Sequence, residues 1–375
     1  MLARIVFWGG AAALAWTHVG YPAAAAVAAR LRPRPVRRDD VLPSVSVIVA
    51  AHDEEDVIER RIENLLALDY PAERLEVVVA SDASGDRTDE LVEAIAAGEP
   101  RVRLLRCPRG GKVSAQNLAV RETRGDVVAF SDANAVWRGE ALRKLVRSFA
   151  DPEVAFVCGR ATYESADGTN REGAYWAFEL WLREQESRLG SITGGNGPIY
   201  AVRREDYVDV DPRFGHDLAF PYLMVQRGRR AVYEPEAVSV EKPSRDLEDE
   251  YRRKVRMFEH CWLIALRGRM LRDVDPVYLA QLVSHRTLRY GSGLLHLGVL
   301  GANVALARRR GPYGAALAGQ VGFLALAAAG KRGLRVPGAA LAYYYVLVTS
   351  ATVVSLARYL RRGVPAVWEK AEGTR

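Results

Sequence analysis

The stretch Gly125–Trp137, GDVVAFSDANAVW, decides how the middle of this 375-residue chain folds. Its strand-forming run Val127–Phe130 delivers an acidic residue to the end of a strand, where a turn must begin. In an open α/β sheet, ligands bind at the carboxyl ends of the strands. Asp132 and Asn134 can both offer an oxygen to one hard cation such as Mg²⁺ or Mn²⁺. A plain turn is the alternative, since Asp and Asn are common turn residues.

Strand and helix patterns alternate on both sides of this stretch, from Pro43 to about Arg269. SVSVIVAAH, LEVVVASDAS and VRLLRC predict strands, and amphipathic runs that begin at Asp53, Asp86 and Gly110 predict the helices between them. Regular βαβ alternation predicts a Rossmann-like, mostly parallel sheet with right-handed crossovers.

Polar residues follow the predicted strands at the points where each strand ends. Because parallel strands point the same way, we expect these side chains to gather at one edge of the sheet. They are His52, Asp53, Glu54, Asp82, Lys112, Asp132 and Asn134.

Charge and cysteine content narrow the class of protein. The net charge of +7 suits nucleic acid, an anionic membrane surface or a phosphorylated substrate. No zinc-finger spacing or RNA-binding aromatic motif supports nucleic acid. The three cysteines, Cys107, Cys158 and Cys261, are widely spaced and odd in number, which argues against a disulfide scaffold or structural zinc and favours a reducing compartment.

The amino-terminal segment Ile5–Ala29 is nearly uncharged and long enough to cross a bilayer. An uncleaved anchor is the preferred interpretation, and a signal peptide is the alternative. The arginine-rich linker that follows, RLRPRPVRR, marks the cytoplasmic side of such an anchor. The expected domains are an anchor (1–29), a basic linker (30–42), an α/β domain (43–270) and a carboxyl-terminal membrane part (271–375).

The carboxyl-terminal part begins with PVYLAQLVSHRTLRY, whose mixture of apolar and basic residues suits a helix at the membrane interface. Three apolar stretches follow, at Gly291–Ala307, Tyr313–Ala329 and Gly338–Leu356. None contains Asp, Glu, Lys or Arg, so each is predicted to span the membrane, with a buried helical bundle as the alternative.

Four motifs in order carry a family resemblance: VIVAAHDEE, SDASGDRT, GGKVSAQN and FSDANAVWRGEAL. Together they resemble the family 2 glycosyltransferases of GT-A fold, over about Ser44 to Arg256. The resemblance is to the membrane-anchored branch that includes cellulose-synthase-like and exopolysaccharide enzymes. It implies an integral protein of the plasma or inner membrane, whose catalytic domain is cytoplasmic.

The resemblance implies roles for the residues at the sheet edge. Glu54 would contact the nucleoside of a nucleotide-sugar, with His52 beside it, and Asp82 would read the base, typically uracil. Lys112 would supply positive charge to the phosphates. Asp132 would hold the divalent cation, aided by Asn134, whose amide keeps an oxygen donor but lacks the family's second acidic charge. Structural alternatives are a helix-terminal charge for Glu54, a turn cap for Asp82 and a solvated charge for Lys112.

Downstream, GSITGGNGPIYAVRRE is glycine-rich and resembles the family's acceptor-side segment. Asp217 stands where the family has its catalytic base, with a helix N-cap as the alternative. His216 replaces an acid there and would lower the pKa of the neighbouring carboxylate if it were protonated.

Arg253 and Arg256 fit the spacing of the family's arginine motif and would hold the diphosphate, although Met257 replaces its Trp. A basic helix resting on anionic lipid is the alternative.

The expected function is an inverting, metal-dependent glycosyltransferase. It would move a sugar from a UDP-linked donor to a lipid-linked or polysaccharide acceptor. Within the family a processive polysaccharide synthase is the alternative. An inactive nucleotide-binding membrane scaffold is the rival from another class, kept open by Asn134 and His216. No nucleic-acid partner is expected, and the sequence makes no prediction of protein partners.

Overall fold

A computed structural model describes residues 1–163, 173–242, 246–309 and 311–367. The helices fall into an amino-terminal pair, six helices among the strands and six after the last of them. They are α1 (Leu2–Ala15), α2 (Tyr21–Leu31), α3 (Ile58–Leu66), α4 (Thr88–Ala96), α5 (Lys112–Glu122), α6 (Ala141–Val146), α7 (Gly173–Leu189), α8 (His216–Gln226), α9 (Leu247–Arg267), α10 (Pro276–Gln281), α11 (Leu288–Tyr290), α12 (Ser292–Leu306), α13 (Tyr313–Lys331) and α14 (Ala339–Arg362).

Eight strands form one sheet in the order β3-β2-β1-β4-β7-β6-β8-β5. They are β1 (Val45–Ala51), β2 (Leu75–Asp82), β3 (Val102–Cys107), β4 (Val127–Asp132), β5 (Val136–Trp137), β6 (Val154–Tyr163), β7 (Tyr200–Arg203) and β8 (Arg230–Glu241). The first four strands in the order pair in parallel, whereas β7 is antiparallel to both β4 and β6, and β5 is antiparallel to β8. The predicted α/β fold is confirmed, with a mixed sheet whose parallel half carries the sequence motifs.

Apolar side chains cover both faces of the sheet. On one face, residues of α3 and α6 such as Ile62 and Leu145 pack against β1 and β2. On the other face, α5 and α8 contribute Ala119 and Phe220. Burial on both faces explains why β1 is apolar apart from Ser46 and does not alternate between apolar and polar residues.

The amino-terminal helices form one helical path. A π-helical turn, Trp16–Gly20, joins α1 to α2, so the path runs from Leu2 to Leu31 over the predicted anchor. Each of the two helices alone is short of a membrane span.

At the carboxyl end, α13 and α14 are long and apolar enough to cross a membrane, by length and composition. They match two of the three apolar stretches predicted as spans there. The third, α12, has 15 residues and is short for that purpose. Large apolar side chains stand exposed on these helices, among them Leu297, Val321 and Leu341.

The segment predicted to be an interfacial helix is α10, a π-helical turn (Leu282–Thr287) and α11 in succession. One side of it is buried, including Tyr278, His285 and Arg289, while Val277 is exposed. We refer to residues 276–290 as the junction helix, because Tyr278 bonds back to the catalytic domain through the carbonyl of Ile192 (2.9 Å).

Candidate active site

The parallel strands bring the motif residues to one sheet edge, as the alternation predicts. Asp132 lies beside Ala50 in the register of β4 against β1, and Ser81 lies beside Ala51 in that of β2 against β1. The ends of β1, β2 and β4 are therefore level. The turns that follow them form one continuous rim.

The turn after β1 is tied to the turn after β2. Asp53 adopts a left-handed backbone conformation (φ +55°), and its carboxylate accepts a hydrogen bond from the backbone N–H of Gly85 (2.7 Å). The N–H of Glu54 donates to the hydroxyl of Thr88 (2.7 Å). Glu54 is buried, and His52 lies 3.5 Å from the Asp53 carboxylate. His52 and Glu54 thus occupy the part of the rim where a nucleoside was expected.

Asp82 lies under the turn that precedes α5. Its carboxylate accepts hydrogen bonds from the N–H groups of Gly110 (2.7 Å) and Gly111 (3.0 Å), and it pairs with Arg109. Gly111 has φ +87°, a conformation that favours glycine. These contacts fix the glycine turn from which Lys112 begins α5.

Lys112 is the centre of a charged cluster. Its ammonium contacts the Asp132 carboxylate, and the charges of Asp217 and Glu241 act on it as well. Burial alone would lower the pKa of Lys112, but these three carboxylates outweigh it and hold the pKa above its ordinary value. We call Lys112, Asp132, Asp217 and Glu241 the carboxylate cluster.

Two carboxyl groups of the cluster also have raised pKa values, which in their case favours the neutral form. Burial raises the pKa of Asp217, opposed by Lys112 and reinforced by Asp132. Burial and the charge of Asp132 raise the pKa of Glu241 to about 8. Glu241, the last residue of β8, was not among the predicted site residues, because nothing near it in the sequence marks it as anything but a surface charge.

The turn after β4 rests on buried groups. Arg61 lies within the core, donates to the hydroxyl of Ser131 (2.8 Å) and stacks over Trp137 with its guanidinium 5.1 Å from the ring centroid. Burial lowers the pKa of Arg61 to about 9, and the nearby Asp132 opposes this shift. The sequence held a signal for Arg61, since it occupies the buried face of α3 with Ile58 and Ile62.

The glycine-rich segment before β7 is a loop, as predicted. Within it, Thr193–Pro198 (TGGNGP), here called the glycine loop, passes directly over the carboxylate cluster. A Cβ placed on Gly197 would lie 3.5 Å from the Asp132 carboxylate and 3.6 Å from the Lys112 ammonium. The N–H of Gly195 donates to the backbone carbonyl of Asp217 (2.7 Å). The loop therefore touches both ends of the cluster.

Comparison with known proteins agrees with this geometry. The model of glycosyl transferase family 2 matches residues 46–210. A mannosyltransferase from Pyrobaculum calidifontis, solved with GDP-Man and Mn²⁺, superposes with a TM-score of 0.73 at 25% identity, over 96% of this chain and 99% of that one. Residues 46–210 form a family 2 glycosyltransferase domain.

Two groups of curated relatives match part of the chain. A beta-monoglucosyldiacylglycerol synthase from Trichormus variabilis is 32% identical over 54% of the chain and 45% of its own length. An N-acetylglucosaminyltransferase from Rhizobium meliloti is 28% identical over 58% of the chain and 53% of its own length. The chain thus spans about half the length of these relatives.

The glycosyltransferase has oxygen ligands that suit a hard cation. Among its described residues no group of three or more His, Cys, Asp or Glu side chains could enclose a metal ion. Asp132 still offers a carboxylate at the rim, as one of the three acidic groups that surround Lys112 in the carboxylate cluster. Mg²⁺-type sites commonly use one or two carboxylates and take their other ligands from substrate phosphates and water, so these residues fit such an ion.

The expectation for His216 needs correction. His216 is buried, with one ring nitrogen 3.2 Å from the Tyr200 hydroxyl and the other 3.2 Å from the side-chain oxygen of Asn117. Burial, reinforced by Lys112, lowers the pKa of His216 to about 3, so it is neutral near pH 7 and does not lower the pKa of Asp217. The N-cap interpretation of Asp217 is also wrong, because Gly215 is the N-cap of α8.

On α9, the two predicted arginines of the glycosyltransferase lie one turn apart. Arg253 bonds to Glu250 (2.6 Å), stacks on Tyr163 at 5.6 Å, and its charge lowers the pKa of Glu241 in opposition to burial. Arg253 is thereby near the carboxylate cluster. Burial lowers the pKa of Arg256, which has Arg253 and Glu259 as charged neighbours.

The segment after α14 also reaches the rim, which sequence patterns did not predict. Gly363 ends α14 with φ +70°, Val364 packs on the apolar cluster of α9, and the backbone of Ala366 lies against Gly111. Residues 363–367 therefore cross from the membrane-type helices to the turn that holds Asp82 and Lys112.

Proposed function

We propose that this glycosyltransferase moves a sugar from a nucleoside diphosphate donor to a membrane-associated acceptor, with inversion at the anomeric carbon. The observation that carries the proposal is the carboxylate cluster, in which a base candidate, a cation-binding carboxylate and a phosphate-binding lysine meet at one edge of the sheet. A scaffold has no need of such an arrangement.

In this proposal Asp217 is the general base. A carboxylate whose pKa burial has raised accepts a proton more readily than an ordinary aspartate does. It would take the proton from the acceptor hydroxyl as the hydroxyl oxygen attacks the anomeric carbon. One base and one leaving group on the opposite face of the sugar suffice for a single displacement, and a single displacement inverts the configuration.

Lys112 and Asp132 would serve the leaving diphosphate. The ammonium of Lys112 lies at the start of α5, where helix N–H groups also favour an anion. Asp132 and Asn134 would hold Mg²⁺ or Mn²⁺, which stabilises the departing diphosphate as a Lewis acid. Arg253 and Arg256 would face the phosphates from α9.

The nucleoside would lie at the other end of the rim, along His52, Glu54 and Asp82. This part of the rim favours a polar base with N–H donors, since Asp82 and Glu54 are acceptors when ionised. We propose uracil, and the GDP-Man of the solved Pyrobaculum relative makes guanine the competing base.

The acceptor would be a lipid or a lipid-linked glycan. The exposed apolar side chains of α12, α13 and α14 would face hydrocarbon, and the rim would then lie close to the bilayer surface. The name of the Trichormus relative indicates diacylglycerol as the first acceptor to test. We place the protein in the plasma or inner membrane with the catalytic domain on the cytoplasmic side.

The test is titration of UDP and GDP into the full chain in detergent, with and without Mn²⁺. We expect UDP binding that needs Mn²⁺ and is weakened at least about tenfold in Asp132→Ala, because the cation loses its protein carboxylate. Asp69→Ala, which removes an exposed carboxylate paired with Arg143, is the matched control.

Four outcomes would contradict parts of the proposal. UDP binding that depends neither on Mn²⁺ nor on the Asp132→Ala substitution would remove Asp132 from the mechanism. Preferential binding of GDP would refute uracil as the base. Donor binding without any turnover of UDP-glucose, UDP-N-acetylglucosamine or GDP-mannose favours the scaffold. Products longer than one added sugar would favour the processive synthase.

A further inference from the structure

The glycine loop is anchored at its Thr193 end to a buried ionic cluster that the proposed mechanism does not use. Five charged or titratable side chains of α7 and the junction helix form this cluster, here called the junction cluster. They are Glu179, Glu186, His285, Arg286 and Arg289.

Thr193 is held from two sides. Its backbone N–H and its hydroxyl both donate to one carboxylate oxygen of Glu186, at 3.2 and 2.9 Å. The guanidinium of Arg286 donates to the same hydroxyl (2.9 Å). A Cβ on Gly194 would lie 2.5 Å from Arg286, so only glycine lets the loop approach the guanidinium this closely.

Glu186 is itself fixed by other elements. Its second oxygen accepts from the hydroxyl of Tyr21 (2.7 Å) on α2 and lies 2.6 Å from His285, whose other ring nitrogen is 3.2 Å from Glu179. Burial alone would raise the pKa of Glu186, but His285 and Arg286 outweigh it and bring the pKa to about 2. Glu186 is therefore an ionised acceptor at neutral pH.

The other end of the glycine loop is fixed to the catalytic domain. The N–H of Gly195 bonds to the carbonyl of Asp217, and the carbonyl of Pro198 accepts from Trp137 (2.9 Å). The side-chain oxygen of Asn196 accepts a hydrogen bond from the guanidinium of Arg183 (2.7 Å), and its side-chain nitrogen donates to the carbonyl of Gly159 (2.8 Å). Between these anchors Gly197 faces Asp132 and Lys112.

We propose that Glu186 and Arg286 are positioning residues that hold the glycine loop, and through it the backbone of Asp217, in reactive geometry. The junction helix, which leads directly into α12, thereby sets the geometry of the reaction centre. This inference rests on the proposed function, since it assigns the cluster to the same transfer reaction. Neither residue touches the reacting atoms, so both act through Thr193.

The test compares Thr193→Val, Thr193→Ser and Thr17→Val in the full chain. Valine removes the Thr193 hydroxyl at nearly constant volume, and serine restores it. Thr17 is the matched control, because its hydroxyl is also buried at this junction, donates to the carbonyl of Ser284 (2.6 Å) and does not touch the glycine loop. The readouts are kcat for donor turnover, transfer to water included, the Kd for UDP with Mn²⁺, and the melting temperature.

We expect Thr193→Val to lower kcat by about tenfold to a hundredfold, the cost of misplacing a reacting group by a fraction of an ångström to one ångström. The Kd for UDP should stay within about twofold, because Glu54 and Asp82 lie elsewhere on the rim. Serine should recover most of the lost kcat, and Thr17→Val should retain it. Gly194→Ala, which displaces Arg286 without removing a polar group, should reproduce the loss.

Wild-type kcat in Thr193→Val or Gly194→Ala would overturn the inference. The inference would also be overturned if Thr193→Val and Thr17→Val lost kcat equally and in proportion to their loss of melting temperature. Failure of Thr193→Ser to recover activity would overturn it as well. A wild-type protein that binds donor but never turns it over contradicts the proposed function itself, and the positioning role falls with it.

Discussion

The space beside Gly197 gives the sharpest test of where the donor diphosphate binds. In Gly197→Ala the added Cβ would stand 3.5 Å from the Asp132 carboxylate and 3.6 Å from the Lys112 ammonium, which are ordinary van der Waals distances. The backbone of Gly197 is not in the left-handed region. The substitution should therefore leave the fold intact, and the melting temperature should stay within about 2 °C, as for surface substitutions of about 0.5 kcal/mol.

The same methyl group would project into the space that Asp132 and Lys112 share with the diphosphate. A displacement of about one ångström costs on the order of a hundredfold in rate, so we expect kcat/KM for the donor to fall by about that factor. The assay is donor turnover with Mn²⁺, alongside UDP binding. Gly139→Ala is the matched control, because its Cβ would meet nothing within 4 Å. Turnover and UDP binding at wild-type levels in Gly197→Ala would refute the proposed diphosphate position.

Two further predictions follow from the rim. In Gly111→Ala a residue with a side chain would have to adopt a left-handed backbone conformation, and its Cβ would lie against the backbone of Ala366. We therefore expect at least about 1–2 kcal/mol of destabilisation, measured as a lower melting temperature. An unchanged melting temperature would contradict the contact with residues 363–367. For Asp217, burial raises the pKa and only the deprotonated carboxylate is a base, so kcat/KM should be lost as pH falls through a pKa above the ordinary value of about 3.9. Asp217→Asn should lower the rate about 10²- to 10⁴-fold, and near-normal turnover in that variant would exclude Asp217 as the base.

Local sequence patterns were sufficient to predict the parallel half of the sheet. β1, β2 and β4 are buried on both faces and are largely apolar. β2 and β4 end on Asp82 and Asp132, and His52 directly follows β1, because these positions reach the ligand-binding edge. The level ends of these strands follow from parallel pairing alone. Local sequence patterns therefore suffice to assign five polar residues to one edge of the sheet: His52, Glu54, Asp82, Lys112 and Asp132. Their chemical roles are still predictions.

Residues that reach the site from distant parts of the chain could not be predicted from local sequence patterns. Glu241 is brought near the turn that holds Asp132 by the antiparallel pairing of β5 with β8, in which Val240 lies opposite Val136. Nothing in the periodicity of β8 distinguishes an inward from an outward glutamate at its last position. Residues 363–367 reach Gly111 only because α14 packs along α9. Such contacts depend on tertiary packing, which local patterns do not encode.

Glu241 bears directly on the weakest point of the sequence-based hypothesis. Asn134 lacks the acidic charge that the family pattern has beside Asp132, so the motif alone predicts a poorer environment for a cation. In the folded chain burial raises the pKa of Glu241, and the charge of the nearby Asp132 raises it further. A cation at the rim would favour the ionised form of Glu241, since a nearby positive charge stabilises a carboxylate. The negative charge missing from the turn after β4 is thus available from the end of β8, so Asn134 is compatible with a metal-dependent enzyme and does not by itself favour the inactive scaffold.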